Sequence, residues 1–287
     1  MKQEHQDLIL QATCAERLRM GCKIQTLWSG YGQIVRVHLH GCERSSVVVK
    51  HVMFPKACRD TDVSHRRKVR SYQVETHWYK NYLTNERCRI PECLAAQSFG
   101  EEQLMVLEDL DVAGFPDRRT SVRDGEIKAC LRWLANFHGL FLGVPARGLW
   151  PVGTYWHLET RPDELEALTD LKLKAAAPKI DAVLNSCRFK TILHGDAKLA
   201  NFCFSKDGSR GCCGLPVRRR GAVPEKEKEN FSELEDEWRL MFAFAWTDFH
   251  RFLLGWMPGH HKINRYSRRL TQEVLKKLAE NSNGAKQ

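Results

Sequence analysis

Hydrophobic residues in the first 108 positions follow mainly the patterns of β-strands. Residues 46–52 form an uninterrupted, largely β-branched run, which predicts a buried strand. Four other apolar segments predict strands at residues 22–28, 33–39, 94–99 and 104–107. Residues 2–20 and 62–82 carry a helical period instead. The front of the chain is therefore predicted to be a sheet with two helices.

Beyond residue 109 the apolar positions recur at three- and four-residue spacing, which is typical of buried helices. This spacing predicts helices over residues 126–142, 161–185, 233–256 and 265–281. Pro162 suits a first helical turn, and Pro178 is expected to end or kink the second of these helices. Short strands are predicted at residues 190–194 and 202–204, on either side of a polar loop.

A β-rich front half and a helical back half together predict an α+β fold with two lobes. We expect an N-lobe over residues 1–108 and a C-lobe over residues 109–287, with a hinge near Glu108. Residues 205–230 break the pattern, because they are rich in Gly, Pro and charge and have neither period. This segment is predicted to be a loop or disordered.

Targeting and redox signals point to the cytoplasm. No apolar run approaches the roughly 20 residues of a membrane span, and the start of the chain lacks the apolar core of a signal peptide. The 11 cysteines form no repeating framework, which favours free thiols in a reducing compartment. The loose pairs Cys88/Cys93 and Cys212/Cys213 lack the second pair that a zinc site needs.

The formal net charge of +10 permits nucleic acid, membrane surfaces and phosphorylated ligands as partners. Basic runs at residues 66–70 and 218–220 are also typical of solvated faces or loops. A basic nucleic-acid-binding protein is one alternative, although the chain has no recognisable reading helix, RNP motif or zinc pattern.

The most informative string is ILHGDAKLANF, at residues 192–202. Phosphoryl transfer needs a carboxylate that orients the attacking hydroxyl and accepts its proton, and an oxygen ligand that holds a metal on the phosphates. Asp196 fits the first role and Asn201 the second, while His194 is expected to brace the loop. A short loop between two strands can deliver both groups to one point.

This string resembles the catalytic loop of aminoglycoside and choline kinases. More narrowly, it is similar to the CHK-kinase-like group, which includes the ecdysteroid-kinase-like proteins. GTYW at residues 153–156 and AWTDFHRF at residues 245–252 are also close to that group's form, and the resemblance covers nearly the whole chain except residues 208–230.

The resemblance implies a protein-kinase-like two-lobe fold, with ATP and Mg²⁺ as cofactors. It also implies transfer of a phosphoryl group to a hydroxyl of a small molecule, with neither nucleic acid nor a membrane span involved. The sequence specifies neither the acceptor nor the oligomeric state.

Particular residues follow from the resemblance. Lys50, on a buried strand, would bind the phosphates and pair with Glu75 on the next helix. Gly30 and Gly32 would form a phosphate-covering turn, and the main chain near Glu108 would contact adenine. The expected acceptor pocket has three principal residues and two further tryptophans: Trp156, Asp248 and His250, with Trp246 and Trp256.

One part of the family pattern is missing. A metal-binding Asp, within a string like Val-Asp-Phe-Gln, should come soon after Asn201, and no such string follows. Asp207 is too close to the loop, and Asp248 lies in a distal helix. We therefore expect impaired catalysis, and a non-catalytic pseudokinase that binds nucleotide is the second alternative.

A frameshift would explain this absence. Residues 213–220 (CGLPVRRR) can be encoded so that reading one nucleotide later gives Val-Asp-Phe-Gln-Tyr-Val-Gly. The hypothesis is that residues 208–230 are partly out of frame. Sequencing the locus tests this, because codons incompatible with that reading contradict it.

Overall fold

A computed structural model describes residues 1–54, 63–82, 88–153, 155–206 and 225–284. The chain divides into two compact units. Among the described residues the first unit comprises 1–140, 146–150 and 197–206, and the second comprises 141–145, 151–196 and 225–284.

The first unit contains five strands and three α-helices among the described residues. In chain order they are α1 (Gln3–Thr13), β1 (Arg17–Thr26), β2 (Gly32–His40), β3 (Ser46–Met53), α2 (Val63–Asn81), β4 (Cys93–Phe99), β5 (Glu102–Glu108) and α3 (Asp124–Leu140). The strands form an antiparallel sheet in the order β1-β2-β3-β5-β4. The valine run of β3 therefore lies at the centre of the sheet, as its continuous apolar pattern predicts.

The two faces of this sheet have different partners. Val47 and Val49 of β3 are fully buried in one core with Ile9 of α1. Successive side chains of a strand point to opposite faces. Lys50 therefore points away from α1 and contacts Glu75 of α2. Neighbouring residues of β3 thus serve opposite faces of the sheet.

The N-terminal helix is shorter than predicted. It ends at Thr13, Cys14 adopts a left-handed conformation with φ +54°, and β1 begins at Arg17. The predicted helix over residues 2–20 is therefore wrong for its last part. The edge strand β1 is mostly exposed, so its sequence lacks a clear strand alternation. The predictions for the other four strands and for α2 and α3 are confirmed, with small shifts at their ends.

Helix α3 groups with the first unit, although the predicted hinge near Glu108 would place it in the second lobe. The Trp133 indole N–H donates to the carbonyl of Arg89 at 2.9 Å. The ring centroid of Phe137 lies 6.2 Å from that of Trp78 on α2. These contacts attach α3 to the elements that carry the sheet.

The described part of the second unit is helical. It contains α4 (Pro162–Glu166), α5 (Leu171–Asn185), α6 (Glu225–Trp256) and α7 (Arg265–Gly284). The single helix predicted over 161–185 is two helices, because the Asp170 side chain accepts from the N–H of Leu173 at 3.0 Å and caps a new start. Pro178 does not end α5, which continues to Asn185.

Two further predictions need correction. Residues 190–194 are not a strand, and only Phe204 of residues 202–204 pairs, in an isolated bridge with Asp117. The carbonyl of Lys190 instead accepts from Gly143 N–H at 2.8 Å. The last six residues of the predicted irregular segment, 225–230, are helical, while residues 207–224, including the proposed out-of-frame string, lie outside the described residues.

The antiparallel sheet and the helical region that follows it confirm the predicted α+β fold class. None of the helices in the described ranges combines the length and the apolar character that crossing a bilayer requires.

Candidate functional site

Lys50 and Glu75 form a close ion pair between β3 and α2. The Lys50 Nζ atom lies 2.6 Å from each carboxylate oxygen of Glu75. The Lys50 side chain is 13% exposed and that of Glu75 is 34% exposed, so the pair is only partly screened by water. The same Nζ lies 5.3 Å from the ring centroid of Tyr72, whose pKa is raised by burial and by the charge of Glu75. The structure therefore brings the two predicted residues together, and their role in binding phosphates stays a prediction.

The turn between β1 and β2 holds the two predicted glycines, and they serve different purposes. A Cβ atom on Gly32 would lie 2.0 Å from the carbonyl oxygen of His51, so only glycine allows β2 and β3 to approach here. Gly30 has φ +74°, and a Cβ there would meet nothing within 4 Å among the described residues. Gly32 therefore has a packing role, while Gly30 leaves its backbone approachable.

Side chains from α2 support this turn. The Lys68 Nζ atom lies 5.1 Å from the ring centroid of Trp28 and 5.2 Å from that of Tyr31. The Tyr31 hydroxyl and His65 Nδ1 are 2.6 Å apart. The charged run at 66–70 looks like a solvated face in the sequence, yet Lys68 lies against the aromatic rings of the turn.

Glu108, at the end of β5, has a structural partner for its side chain. Its carboxylate accepts from the Arg89 guanidinium and from the N–H of Glu92, the latter at 3.1 Å. Burial acts to raise the pKa of Glu108, but the bonds from Arg89 and the Glu92 N–H, together with the nearby arginine charges, lower the pKa overall. The adenine contact expected from the main chain here stays a prediction.

Asp109 is a structural residue that the sequence analysis does not assign. It is 3% exposed and accepts from Arg36 Nε at 2.6 Å, Arg36 Nη2 at 3.1 Å and Ser46 Oγ at 2.7 Å. Burial acts to raise the pKa of Asp109, yet these donors lower it overall. One carboxylate thus joins β2, β3 and the end of β5.

A hydrogen bond spans the His-Gly-Asp turn. The N–H of Asp196 donates to His194 Nδ1 at 3.3 Å, and Gly195 has φ +76°, which favours glycine. Asn201 ends a short 3-10 turn that starts at Leu199. The division between the units falls between Asp196 and Ala197, so Asp196 belongs to the second unit and Asn201 to the first.

The expected acceptor residues are only partly brought together. Asp248 is buried on α6 and accepts from Arg251 Nε at 2.8 Å, while Arg251 Nη2 donates to the carbonyl of Trp156 at 2.9 Å. Burial raises the pKa of Asp248 despite the charge of Arg251. His250 is two positions further along the helix and points to another side. Burial and the charge of Arg268 lower the pKa of His250.

The tryptophans of this region pack on phenylalanines of α6. The ring centroid of Trp156 lies 4.7 Å from that of Phe249, and Trp246 lies 5.7 Å from the same ring. Trp256 stacks on Phe252 at 5.5 Å. Core packing explains part of each ring's burial, and a role in acceptor binding stays a prediction.

Comparison with protein families gives one match. Residues 31–144 match the model of the ecdysteroid kinase-like family. The match supports the family that the motifs at residues 153–156, 192–202 and 245–252 indicated, although it does not include those motifs. The fold agrees with that of a kinase-like chain. No curated protein matches the chain.

The ecdysteroid kinase-like match includes some predicted residues and not others. Lys50, Glu75, Gly32 and Glu108 lie inside residues 31–144, whereas Gly30 lies one residue outside. The catalytic loop and the acceptor residues also lie beyond it. The match therefore covers the part of the chain that carries the Lys50–Glu75 pair but not the predicted catalytic loop.

Magnesium fits the residues that follow the predicted catalytic loop poorly. Proteins hold Mg²⁺ through one or two carboxylates together with phosphate oxygens. Asn201 offers an amide oxygen, residues 202–206 contain no carboxylate, and Asp207 lies outside the described residues. The donor set of this stretch does not fit the ion.

Cys88, which is buried, and Cys93, which is half-buried, are unsuited to bind metal in their resting form. Burial raises the pKa of Cys88 and of Cys93 to about 11, so both thiols stay protonated at neutral pH. The cysteines in the described ranges are free thiols, as expected.

Proposed function

We propose that this chain is an ATP-dependent phosphotransferase that acts on a hydroxyl of a small molecule. The observation that carries the proposal is the ion pair between Lys50 and Glu75, on the central strand and the adjoining helix of a kinase-like sheet. The family match over residues 31–144 supports the same class of reaction.

The pair suits a polyphosphate ligand. An ammonium group has three N–H donors, and two hydrogen bonds to Glu75 hold Lys50 in one direction. A third donor can then bind a phosphate oxygen, as in kinases, where this lysine contacts the α- and β-phosphates. The approachable backbone at Gly30 fits a role as a cover for phosphates.

Asp196 is proposed as the base for the acceptor. The hydroxyl oxygen bonds to the γ-phosphorus, the bond between that phosphorus and the β,γ-bridging oxygen breaks, and the hydroxyl proton passes to Asp196. Support comes from the sequence motif and from the bond between the Asp196 N–H and His194, which steadies the turn.

Turnover by this chain is expected to be slow. The missing carboxylate removes charge stabilisation worth several kcal/mol, and each 1.36 kcal/mol changes a rate about tenfold. We expect ATP-dependent phosphorylation at least about a hundredfold slower than that of a family member with an intact Val-Asp-Phe-Gln string. The measurement is phosphate transfer from ATP to a panel of hydroxyl compounds that includes an ecdysteroid.

Three variants sharpen this prediction. Replacing residues 213–216 with Val-Asp-Phe-Gln should raise the rate, whereas the same four residues in scrambled order should not. Asp196→Asn should abolish the residual rate. Family-like rates from the unmodified chain, or turnover that persists in Asp196→Asn, would contradict the proposal.

The same missing carboxylate favours a second candidate, a pseudokinase that binds nucleotide without transferring phosphate. Magnesium-independent ATP binding, together with no transfer to any compound even after the string is restored, would identify that function.

A further inference from the structure

Two histidines and a glutamate meet on the sheet face opposite Lys50. His5 lies on α1, His51 follows Lys50 on β3, and Glu102 begins β5. Their ligand atoms all lie within 4.8 Å of one another. Because side chains alternate along a strand, His51 faces α1 whereas Lys50 faces α2. The cluster is therefore separate from the proposed phosphate site.

The spacing suits one small metal ion. His51 Nε2 lies 2.8 Å from Glu102 Oε2, and His5 Nε2 lies 3.4 Å from the same oxygen. In a tetrahedral zinc site with bonds of about 2.0–2.1 Å, ligand atoms are about 3.3 Å apart. Small side-chain shifts would therefore place all three atoms around one ion.

His5 supplies an independent reason to expect a ligand. Its side chain is fully buried, and neither ring nitrogen makes a hydrogen bond to any residue in the described part of the chain. The 3.4 Å approach of Nε2 to Glu102 lacks hydrogen-bond geometry. A buried polar group without a partner is costly, and a bound cation would give Nε2 a partner.

The charged neighbours leave room for the ion and offer a fourth ligand. Lys2 Nζ lies 2.6 Å from Glu102 Oε1, which is the other carboxylate oxygen. Its side chain is 57% exposed and can turn into solvent. Glu4 Oε1 lies 3.8 Å from His5 Nε2 on a half-exposed side chain, so a rotation can bring it to the ion.

We propose that His5, His51 and Glu102 bind one divalent transition-metal ion of the Zn²⁺ type, with Glu4 completing the coordination. Two imidazoles and carboxylate oxygens favour such an ion over Mg²⁺ or Ca²⁺, which prefer oxygen ligands alone. The ion fastens α1 to the centre of the sheet, beside the strand that carries Lys50.

The test uses the full chain, loaded with Zn²⁺ and dialysed. Elemental analysis should find about one equivalent of zinc. A chelator should lower the melting temperature by roughly 5 °C, and added Zn²⁺ should restore it. His5→Gln and His51→Gln should each lose the zinc, while His40→Gln, at the exposed end of β2, should keep it.

Cobalt substitution tests the metal site in the wild-type chain, so the result does not depend on whether the variants fold. Co²⁺ in the wild-type chain should give the visible absorption of a four-coordinate site with nitrogen and oxygen ligands. A thiolate charge-transfer band would assign the metal to cysteine and overturn the proposal. Absence of stoichiometric zinc, or zinc that survives in His51→Gln, would overturn it as well.

Discussion

Replacing Arg251 with methionine is expected to lower the free energy of unfolding by about 3–5 kcal/mol. The Arg251 side chain is fully buried, and its guanidinium donates to Asp248 at 2.8 Å and to the Trp156 carbonyl at 2.9 Å. Methionine fills much of the same volume but leaves the Asp248 carboxylate buried without its partner. The loss should appear as a lower midpoint of urea-induced unfolding.

Two further variants distinguish the loss of the buried ion pair from the general effect of removing a positive charge. Arg239→Met makes the same change on the same helix, where the arginine is exposed and pairs with Glu235, and it should alter stability little. Arg251→Met combined with Asp248→Asn should recover part of the loss, because no charge is then left buried alone. Equal losses in Arg251→Met and Arg239→Met would contradict this account of the buried Arg251–Asp248 pair.

Replacing Lys50 with methionine is expected to weaken ATP binding by about ten- to a hundredfold. A charge-assisted bond to phosphate is about twice as strong as a neutral one, and each 1.4 kcal/mol is tenfold in affinity. The Glu75 carboxylate, left without its lysine, would also repel the phosphates. The affinity is measured by calorimetric titration with ATP.

Lys23→Met is the matched control, because Lys23 is exposed on β1. This variant should bind ATP like the wild type. The melting temperature of Lys50→Met without nucleotide shows whether the unit stays folded, which is expected because Glu75 is 34% exposed and can be hydrated. Unchanged affinity in folded Lys50→Met would contradict the assignment of Lys50.

The helices and strands whose burial gives a regular pattern of apolar residues could be predicted from the sequence. The valine run of β3 and the three-and-four spacing of α3 each follow from burial, and the structure confirms both. Strand β1 was missed in its first half because it is an exposed edge strand. Pro178 shows a similar limit: local propensity predicts an end or a kink there, yet α5 continues past it and buries Leu173, Ala177 and Ile180.

For the candidate site, the order of motifs along the chain was enough to predict that Lys50 pairs with Glu75. In kinases a lysine on a strand pairs with a glutamate on the following helix. Long-range clusters carry no such signal. Asp109 meets Arg36 across 73 positions, and His5 meets Glu102 only because α1 packs on the sheet. Nothing in the local sequence of either residue indicates these contacts.

The most direct test of the phosphate site is labelling with an acyl-phosphate derivative of ATP, which transfers its acyl group to a lysine that lies beside the bound phosphates. Mass spectrometry of the digested chain then locates the modified lysine. We predict modification of Lys50 that excess ATP prevents. Labelling that falls on other lysines, or modification of Lys50 that ATP does not reduce, would contradict the account.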